Sequence, residues 1–102
     1  MDKFTANDLL DHYEPLLTDN QQKICQLYFR EDFSLMEISE LLNITRSAVF
    51  DTIKRCEKIL NQYEEKIGLC KKSHKRHILY QKIKAYNIAD INDIVEELID
   101  TE

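Results

Sequence analysis

Glycine and proline are almost absent from this chain of 102 residues, and tryptophan is missing altogether. One Gly and one Pro leave few places for tight turns, and no Asn-Gly or Asp-Gly pair marks a β-hairpin. A single glycine also excludes a glycine-rich phosphate-binding loop. Leu, Ile, Lys and Glu are abundant and strand signals are missing, so the sequence predicts an all-α protein.

Long apolar runs are also missing, and no segment approaches the roughly 18 apolar residues that cross a bilayer. The first residues lack the basic-then-apolar pattern of a secretion signal. The three cysteines, Cys25, Cys56 and Cys70, are an odd number without a close pair, which argues against a disulfide framework. We therefore expect a cytoplasmic protein without membrane insertion, whose cysteines pack as small apolar side chains.

Residues 33–56 carry the strongest local pattern, that of a helix-turn-helix. Ser34 precedes Glu37 by three residues, the spacing of a capping box. Asn43 tolerates the left-handed backbone of a sharp turn, and Thr45 can cap the next helix. The small Ser39 allows the two helices to cross closely. The positions that we expect to face inward are Ile38, Leu41, Leu42, Ile44, Ala48, Val49 and Ile53.

Further helices are predicted on both sides of this motif. Before the motif, periodicity and capping residues place helices at 7–16 and from Thr18 or Asp19 to about 30–33. The second helix of the motif should span 46–67 and stop at Gly68. Two more helices should follow, at 73–86 and, after Asp90, at 91–99. The predicted domains are a helix-turn-helix domain at 1–67 and a C-terminal helical extension at 68–102.

The long predicted fourth helix carries an apolar stripe with heptad spacing. The stripe consists of Val49, Ile53, Cys56, Leu60, Tyr63, Ile67 and Cys70. Only its first turns can pack inside the helix-turn-helix. The remainder either packs against the C-terminal helices of the same chain or forms a protein interface at Leu60, Tyr63 and Ile67. Both can hold together if the C-terminal helices complete the core of a homodimer formed through the fourth helix and these helices.

Charge is distributed in blocks. Residues 1–45 hold three basic and nine acidic side chains, and residues 46–70 hold five basic and four acidic ones. Residues 71–86 hold six basic and no acidic side chains, and residues 87–102 hold six acidic and no basic ones. These segments carry −6, +1, +6 and −6, so the strongest basic segment lies outside the motif. Proteins that bind duplexes usually concentrate basic charge on the binding surface.

The basic segment has two interpretations. Its basic strip, which we define as Lys71, Lys72, Lys75, Arg76, Lys82 and Lys84, can contact the phosphates of RNA or DNA, with Tyr80 as a stacking residue. Alternatively, the strip is a solvated helix face paired with the acidic tail. Cys70, His74 and His77 share one helix face, but a fourth zinc ligand is not evident, and we expect no metal or cofactor.

These residues resemble a known family. Leu17-Thr18, Gln22-Lys23, Leu27-Tyr28-Phe29 and the stretch from Ser34 to Val49 are similar to region four of bacterial sigma factors, a promoter-reading helix-turn-helix. A closer resemblance is to the small YlxM family, carried by residues 44–51, 53–55, 63–66 and 68–69. It covers about residues 4–72. The resemblance implies a regulatory role in co-translational targeting, because members are encoded beside the signal recognition particle GTPase.

The sigma resemblance allows a comparison of the groove-facing positions, Arg46, Ser47, Phe50, Asp51 and Lys54. Arg46 suits a guanine or a phosphate, and Ser47 can donate to a phosphate at the helix start. Sigma factors carry basic or amide side chains where this chain has Phe50 and Asp51. A carboxylate repels phosphates, and an exposed Phe suits a protein surface or a thymine methyl. This departure disfavours sequence-specific DNA reading.

No arrangement of nucleophile, base and acid indicates an enzyme. We therefore expect a non-enzymatic adaptor of the signal recognition particle pathway, binding the particle's RNA, its GTPase or the receptor. Phe50 is expected at a protein interface or, alternatively, buried against a neighbouring helix. The predicted nucleic-acid contacts are Arg46, Ser47, Lys54, Arg55, Lys58, Lys71, Lys72, Lys75 and Arg76. The alternatives are a DNA-binding transcription regulator and a module that binds only protein.

Overall fold

The computed structural model describes all 102 residues and contains six α-helices and no strand, which confirms the all-α prediction. None of the helices combines the length and the apolar content that crossing a membrane needs. The helices are α1 (Lys3–Tyr13), α2 (Asp19–Cys25), α3 (Leu35–Leu42), α4 (Arg46–Ile67), α5 (Leu69–Lys84) and α6 (Ala89–Asp100). A short 3₁₀ turn (Glu14–Leu16) follows α1, and a π-helical turn (Gln26–Arg30) continues α2.

The chain divides into two compact units, Met1–Cys70 and Lys71–Glu102. The first unit holds the helix-turn-helix and also the first residues of α5. The division therefore lies three residues after Ile67, the predicted end of the first domain.

The helix-turn-helix forms through the predicted local contacts. The Ser34 hydroxyl accepts from the Glu37 backbone N–H, and the Glu37 carboxylate accepts from the Ser34 N–H, which completes the capping box. That hydrogen bond lowers the pKa of Glu37. Asn43 adopts the left-handed conformation with φ 55°, and the Thr45 hydroxyl caps α4 by accepting from the Ala48 N–H. The sequence had therefore defined this motif correctly.

Three of the predicted inward-facing residues of the motif are exposed: Leu41, Ile44 and Ala48. Leu41 follows Glu40 and precedes the half-buried Leu42, which shares the core side of α3 with Ile38. Successive helical residues are rotated by about 100°, so Leu41 points away from that side. Ala48 likewise precedes the buried Val49 by one residue and therefore points away from the core. The prediction from apolar composition was therefore too broad, because the buried face of this segment is narrower than its set of apolar residues.

The core of the first unit is built around α4. Its side chains Val49, Ile53, Cys56 and Leu60 are buried and join apolar residues of the other helices. Helices α1, α2 and α3 each contact α4. The first turns of the predicted stripe therefore pack within the chain, and the helix lies at the centre of the unit. The residues that complete the core are Ala6, Leu9, Leu10, Tyr13, Leu17, Ile24, Cys25, Phe29, Ile38 and Cys70.

Several helix boundaries differ from the prediction. Helix α1 begins at Lys3 instead of residue 7, because the Asp2 carboxylate accepts from the Thr5 N–H and acts as the cap. Helix α5 begins at Leu69 instead of residue 73, immediately after Gly68 with φ 71°. Helix α6 begins at Ala89, before the predicted cap Asp90. The prediction of α4 and of its stop at Gly68 was correct.

A buried tyrosine fixes the end of α4 and the start of α5. The Tyr13 hydroxyl donates to a Glu64 carboxylate oxygen at 2.6 Å and accepts from the Leu69 backbone N–H at 2.9 Å. The same oxygen of Glu64 accepts from the Cys70 N–H at 2.9 Å. Burial, followed by the hydrogen bond to Glu64, raises the pKa of Tyr13 to about 12. Two backbone N–H groups after the Gly68 turn are thus satisfied by side chains of α1 and α4.

Replacing Tyr13 by Phe should lower the free energy of unfolding by about 1–3 kcal/mol, because the Leu69 N–H and Glu64 lose a buried partner. Urea unfolding followed by circular dichroism measures the change. Tyr63→Phe is the matched control, because the Tyr63 ring stacks on Tyr13 at a centroid distance of 5.9 Å and its hydroxyl has no recorded hydrogen bond. Equal losses in both variants would contradict the role of the Tyr13 hydroxyl.

The raised pKa of Tyr13 also predicts a loss of stability in alkali. The folded state favours the neutral phenol, so this contribution is complete below pH 10, the ordinary pKa, and is lost as the pH rises towards 12. Urea midpoints measured between pH 9 and 12 should therefore fall more steeply for the wild type than for Tyr13→Phe. Parallel curves would contradict this assignment.

Gly68→Ala should destabilise the protein by about 1 kcal/mol, because an L side chain is strained at φ 71°. The cost is one of backbone conformation, since the nearest atom to an added Cβ is the Glu64 carbonyl oxygen at 4.0 Å. Gly68→Asn should lose less, because Asn tolerates this conformation. Thermal unfolding measures both variants, and a smaller loss for Ala than for Asn would refute the explanation.

Candidate nucleic-acid interface

The outward face of α4, which we define as Arg46, Ser47, Phe50, Asp51, Lys54, Arg55 and Lys58, is exposed along its length. Its position follows from the buried stripe, because Val49, Ile53, Cys56 and Leu60 occupy the opposite side of the helix. The structure therefore leaves all five predicted nucleic-acid residues of this helix exposed. Arg46 and Ser47 lie at its N-terminal end, where Thr45 caps the helix.

An aromatic ring lies within the outward face. The Phe50 side chain is 46% exposed, and the Lys54 ammonium lies 5.5 Å from the centre of its ring, within range of a cation–π interaction. Together with Leu35, Arg46, Ser47 and Asp51, Phe50 lines an open groove of about 430 Å³. This groove offers an apolar surface flanked by one guanidinium and one carboxylate.

Carboxylates moderate the positive charge of this face. Asp51 lies on the face itself, and Glu57 lies 3.7 Å from the Lys54 ammonium and 3.9 Å from the N-terminal amine. Arg46, Arg55 and Lys58 have no recorded ion pair. Unpaired cations at both ends of the face can therefore contact phosphates, while its middle is partly neutralised.

The predicted protein interface on α4 requires a correction. Leu60 has no exposed surface and lies in the core, so it is unavailable to a partner in the folded state. Tyr63 is half-buried and stacks on Tyr13. Phe50 and Ile67 remain exposed. The stripe is covered within the chain from Val49 to Leu60, and the fourth helix offers no continuous apolar seam for a homodimer. The heptad spacing could not reveal this, since it does not identify the surface that covers the stripe.

The basic strip lies on α5, within the second unit. Two of its members are paired with acids of the same unit: Arg76 with Glu102 and Lys84 with Glu96. The hydrogen bond from Arg76 is also the main cause that lowers the pKa of Glu102. Lys71, Lys72, Lys75 and Lys82 are exposed. Both sequence interpretations thus apply in part, because the acidic tail covers some cations and leaves others accessible.

Tyr80 is not an available stacking residue. It is 9% exposed, and its hydroxyl lies 3.4 Å from Glu102, which also approaches Nε2 of His77 at 3.4 Å. Tyr80 and His77 contact each other edge to face. These side chains connect α5 to the end of the chain instead of facing a ligand.

Cys70 groups with residues that the spacing of the sequence did not indicate. Its Sγ lies 3.4 Å from Nδ1 of His12 and 3.5 Å from the Asp8 carbonyl oxygen, which is itself 2.9 Å from that Nδ1. Burial, followed by the charges of Asp8 and Glu64, raises the pKa of the Cys70 thiol to about 12. The distances are those of hydrogen bonds that attach the start of α5 to α1.

The other two cysteines meet inside the core. Cys25 and Cys56 are fully buried, and their thiols share a hydrogen bond that raises the pKa of Cys25. All three cysteines are free and buried, as expected for small apolar packing residues. Thiol chemistry therefore has no accessible site in the folded chain.

An open cavity of about 500 Å³ lies beside α1, lined by Leu10, Asp11, Glu14, Pro15, Gln22 and Arg30. The Arg30 guanidinium lies 3.0 Å from Asp11 and 3.2 Å from Glu14. Gln22 donates to the backbone carbonyls of Glu14 and Leu17. The polar groups of this cavity are therefore engaged in holding the turn around Pro15.

The chain resembles known proteins along almost its whole length. A sequence model of the family described as "Putative helix-turn-helix protein, YlxM / p13 like" matches residues 1–100. The likeness thus extends beyond residue 72, where the resemblance noted in the sequence had ended. That boundary was set too early.

Individual relatives agree with this match. A protein of Clostridium novyi is 43% identical over 93 residues, which are 91% of this chain and 77% of that protein. A protein of Oceanobacillus iheyensis is 47% identical over 85 residues, covering 82% of this chain and 81% of the relative. The YlxM protein of Bacillus subtilis is 47% identical over 78 residues, covering 76% and 71%. The helix-turn-helix geometry and these similarities together show that this chain belongs to the UPF0122 family of YlxM-like proteins.

Proposed function

We propose that this protein is a non-enzymatic, cytoplasmic adaptor that regulates the signal recognition particle pathway by binding the particle's RNA together with its GTPase or receptor. The link to this pathway rests on the family resemblance that the sequence carries. The link to RNA and protein rests on the two exposed surfaces. The helix-turn-helix acts as a rigid scaffold, and its partner contacts lie on the outward face of α4 and on the basic strip.

The observation that carries the proposal is the composition of the outward face of α4. Phe50 and Asp51 occupy positions where a groove-reading helix gains from donors, and both side chains are exposed there. An exposed ring and a carboxylate are poorly suited to a uniform row of duplex phosphates. They suit a protein surface, while Arg46, Arg55 and Lys58 around them suit RNA phosphates.

The basic strip supplies the second contact. Four of its lysines are exposed, and residues 71–86 contain no acid. Lysine ammonium groups bind phosphates as point charges without reading a sequence. This strip therefore suits a nucleic acid that is recognised through its phosphate backbone, as we propose for the particle's RNA.

A second candidate function is DNA-binding transcription regulation. It is favoured by the exposure of Arg46, Ser47 and Lys54 on one face of a helix in a helix-turn-helix. In that case Arg46 would contact a base edge and Ser47 a phosphate.

Lys75→Glu combined with Arg76→Glu should weaken binding of signal recognition particle RNA and lower its salt slope by roughly 1.5, because two phosphate contacts are lost. Titration of labelled RNA at two or more salt concentrations, beside random duplex DNA, measures this. Lys23→Glu with Lys66→Glu is the control of equal charge change at residues that belong to neither surface. It should bind nearly as the wild type does.

The same titrations separate the candidate functions. One outcome is that Arg46→Ala abolishes a sequence-selective duplex binding that the Lys75→Glu, Arg76→Glu variant retains. That result would contradict the adaptor and support the DNA-binding regulator. GTPase association without any polyanion binding would leave a module that binds only protein, and would refute the RNA contact.

Removing the paired acids should strengthen RNA binding, because Glu102 and Glu96 hold Arg76 and Lys84 in the free protein. Glu96→Gln with Glu102→Gln should raise the affinity several-fold at low salt, since exposed ion pairs are weak and compete with phosphates. Glu97→Gln with Asp100→Asn removes the same charge from acids without a recorded ion pair. An equal gain in this control would show a net-charge effect instead of competition for two cations.

A further inference from the structure

The second unit leaves many of its large apolar side chains exposed to water. Among the apolar side chains of residues 71–102, Tyr80 and Val95 are the two that are buried. Seven large apolar side chains on its two helices or beside them are exposed by 39–78%: Ile78, Leu79, Tyr86, Ile88, Ile91, Ile94 and Leu98. Contiguous exposed apolar surface of this kind marks an association site more often than a solvated face.

The exposed side chains of α6 follow a helical repeat. Ile91, Ile94 and Leu98 recur every three or four residues beside the buried Val95, so they form one stripe that continues the buried side of the helix. On α5, Ile78 and Leu79 interrupt the basic strip, and Tyr86 follows its end. Helix α6 therefore has an apolar stripe beside its acids, and α5 carries exposed apolar side chains among its basic ones.

We propose that this surface is covered by a second copy of the chain, so that two α5–α6 hairpins form an antiparallel four-helix bundle. In the bundle, each α6 stripe packs between the α5 of its own chain and the α5 of the partner. The inference is independent of the proposed pathway. Of the homodimer that the sequence had suggested through the fourth helix and the C-terminal helices, it keeps the C-terminal helices and omits α4.

Charge complementarity identifies the second copy as the occupant. Residues 71–86 carry six basic and no acidic side chains, and residues 87–102 carry six acidic and no basic ones. In a ring ordered α5, α6, α5, α6, every neighbouring pair of helices is oppositely charged. The hairpin already uses this pairing internally, where Arg76 meets Glu102 and Lys84 meets Glu96.

Other partners match only half of the surface. A polyanion complements the basic strip of α5 but leaves the acids and the apolar stripe of α6 uncovered, and a basic protein has the reverse difficulty. A two-fold interface requires a patch that complements itself, and this hairpin carries equal amounts of both charges. Its apolar stripe supplies the association energy, while the charges fix the antiparallel orientation.

Light scattering of the full chain tests the proposal, with an expected mass of twice 12.2 kDa at micromolar concentration. Ile94→Glu with Leu98→Glu should weaken dimerisation by at least about 30-fold, because charged groups replace the central apolar contacts. Phe4→Glu is the matched control, since Phe4 is 85% exposed on α1, outside the hairpin. It should remain dimeric. Circular dichroism of each variant verifies folding, since these side chains are exposed and their replacement should leave the helices intact.

A second measurement does not depend on variants. Equal amounts of ¹⁴N- and ¹⁵N-labelled protein are mixed and treated with a carbodiimide, which joins lysines to neighbouring carboxylates. Mass spectrometry should find mixed-isotope cross-links between α5 lysines and α6 acids. A strict monomer, a dimer unaffected by Ile94→Glu with Leu98→Glu, or mixed cross-links confined to residues 1–70 would overturn the proposal. A monomer whose hairpin becomes protected only on adding RNA or GTPase would assign the surface to that partner instead.

Discussion

Burial of one side of α4 is the constraint from which the first unit follows. Val49, Ile53, Cys56 and Leu60 recur at heptad spacing and meet α1, α2 and α3 in a single core. This burial fixes the rotation of the helix about its axis. The residues on the opposite side, including Phe50 and Lys54, are therefore held in solvent on a rigid element. A surface of this kind can bind a partner without first becoming ordered.

The two units gain their stability in different ways. The first unit has a continuous apolar core, capped helix ends and a buried Tyr13 that connects α1 to the ends of α4 and α5. In the second unit, two apolar side chains are buried and several contacts are ion pairs at the surface. Surface ion pairs contribute only about 0–1 kcal/mol each. We therefore expect the stability of the second unit to depend more on salt than that of the first.

Local rules predicted the elements that are controlled by local contacts. The capping box at Ser34 and Glu37, the left-handed Asn43 and the stop at Gly68 each depend on residues within one turn of helix. The start of α1 was predicted wrongly because Asp2 was not recognised as its cap. The start of α5 was predicted wrongly because it depends on Tyr13 and Glu64, whose side chains accept from its first N–H groups and come from other helices. The outward positions of α4 were predicted well, because they are the complement of its apolar stripe.

The sequence by itself determined the helical class, the helix-turn-helix, the family and the separation of charge into blocks. Only the tertiary structure decided which apolar residues remain available. Leu60 and Ile94 are both apolar residues on amphipathic helices, yet Leu60 is fully buried and Ile94 is 57% exposed. The difference arises because α1 and α2 cover α4, while no element of its own unit covers the stripe on α6. Periodicity reveals an apolar face, but burial depends on contacts between residues far apart in the chain.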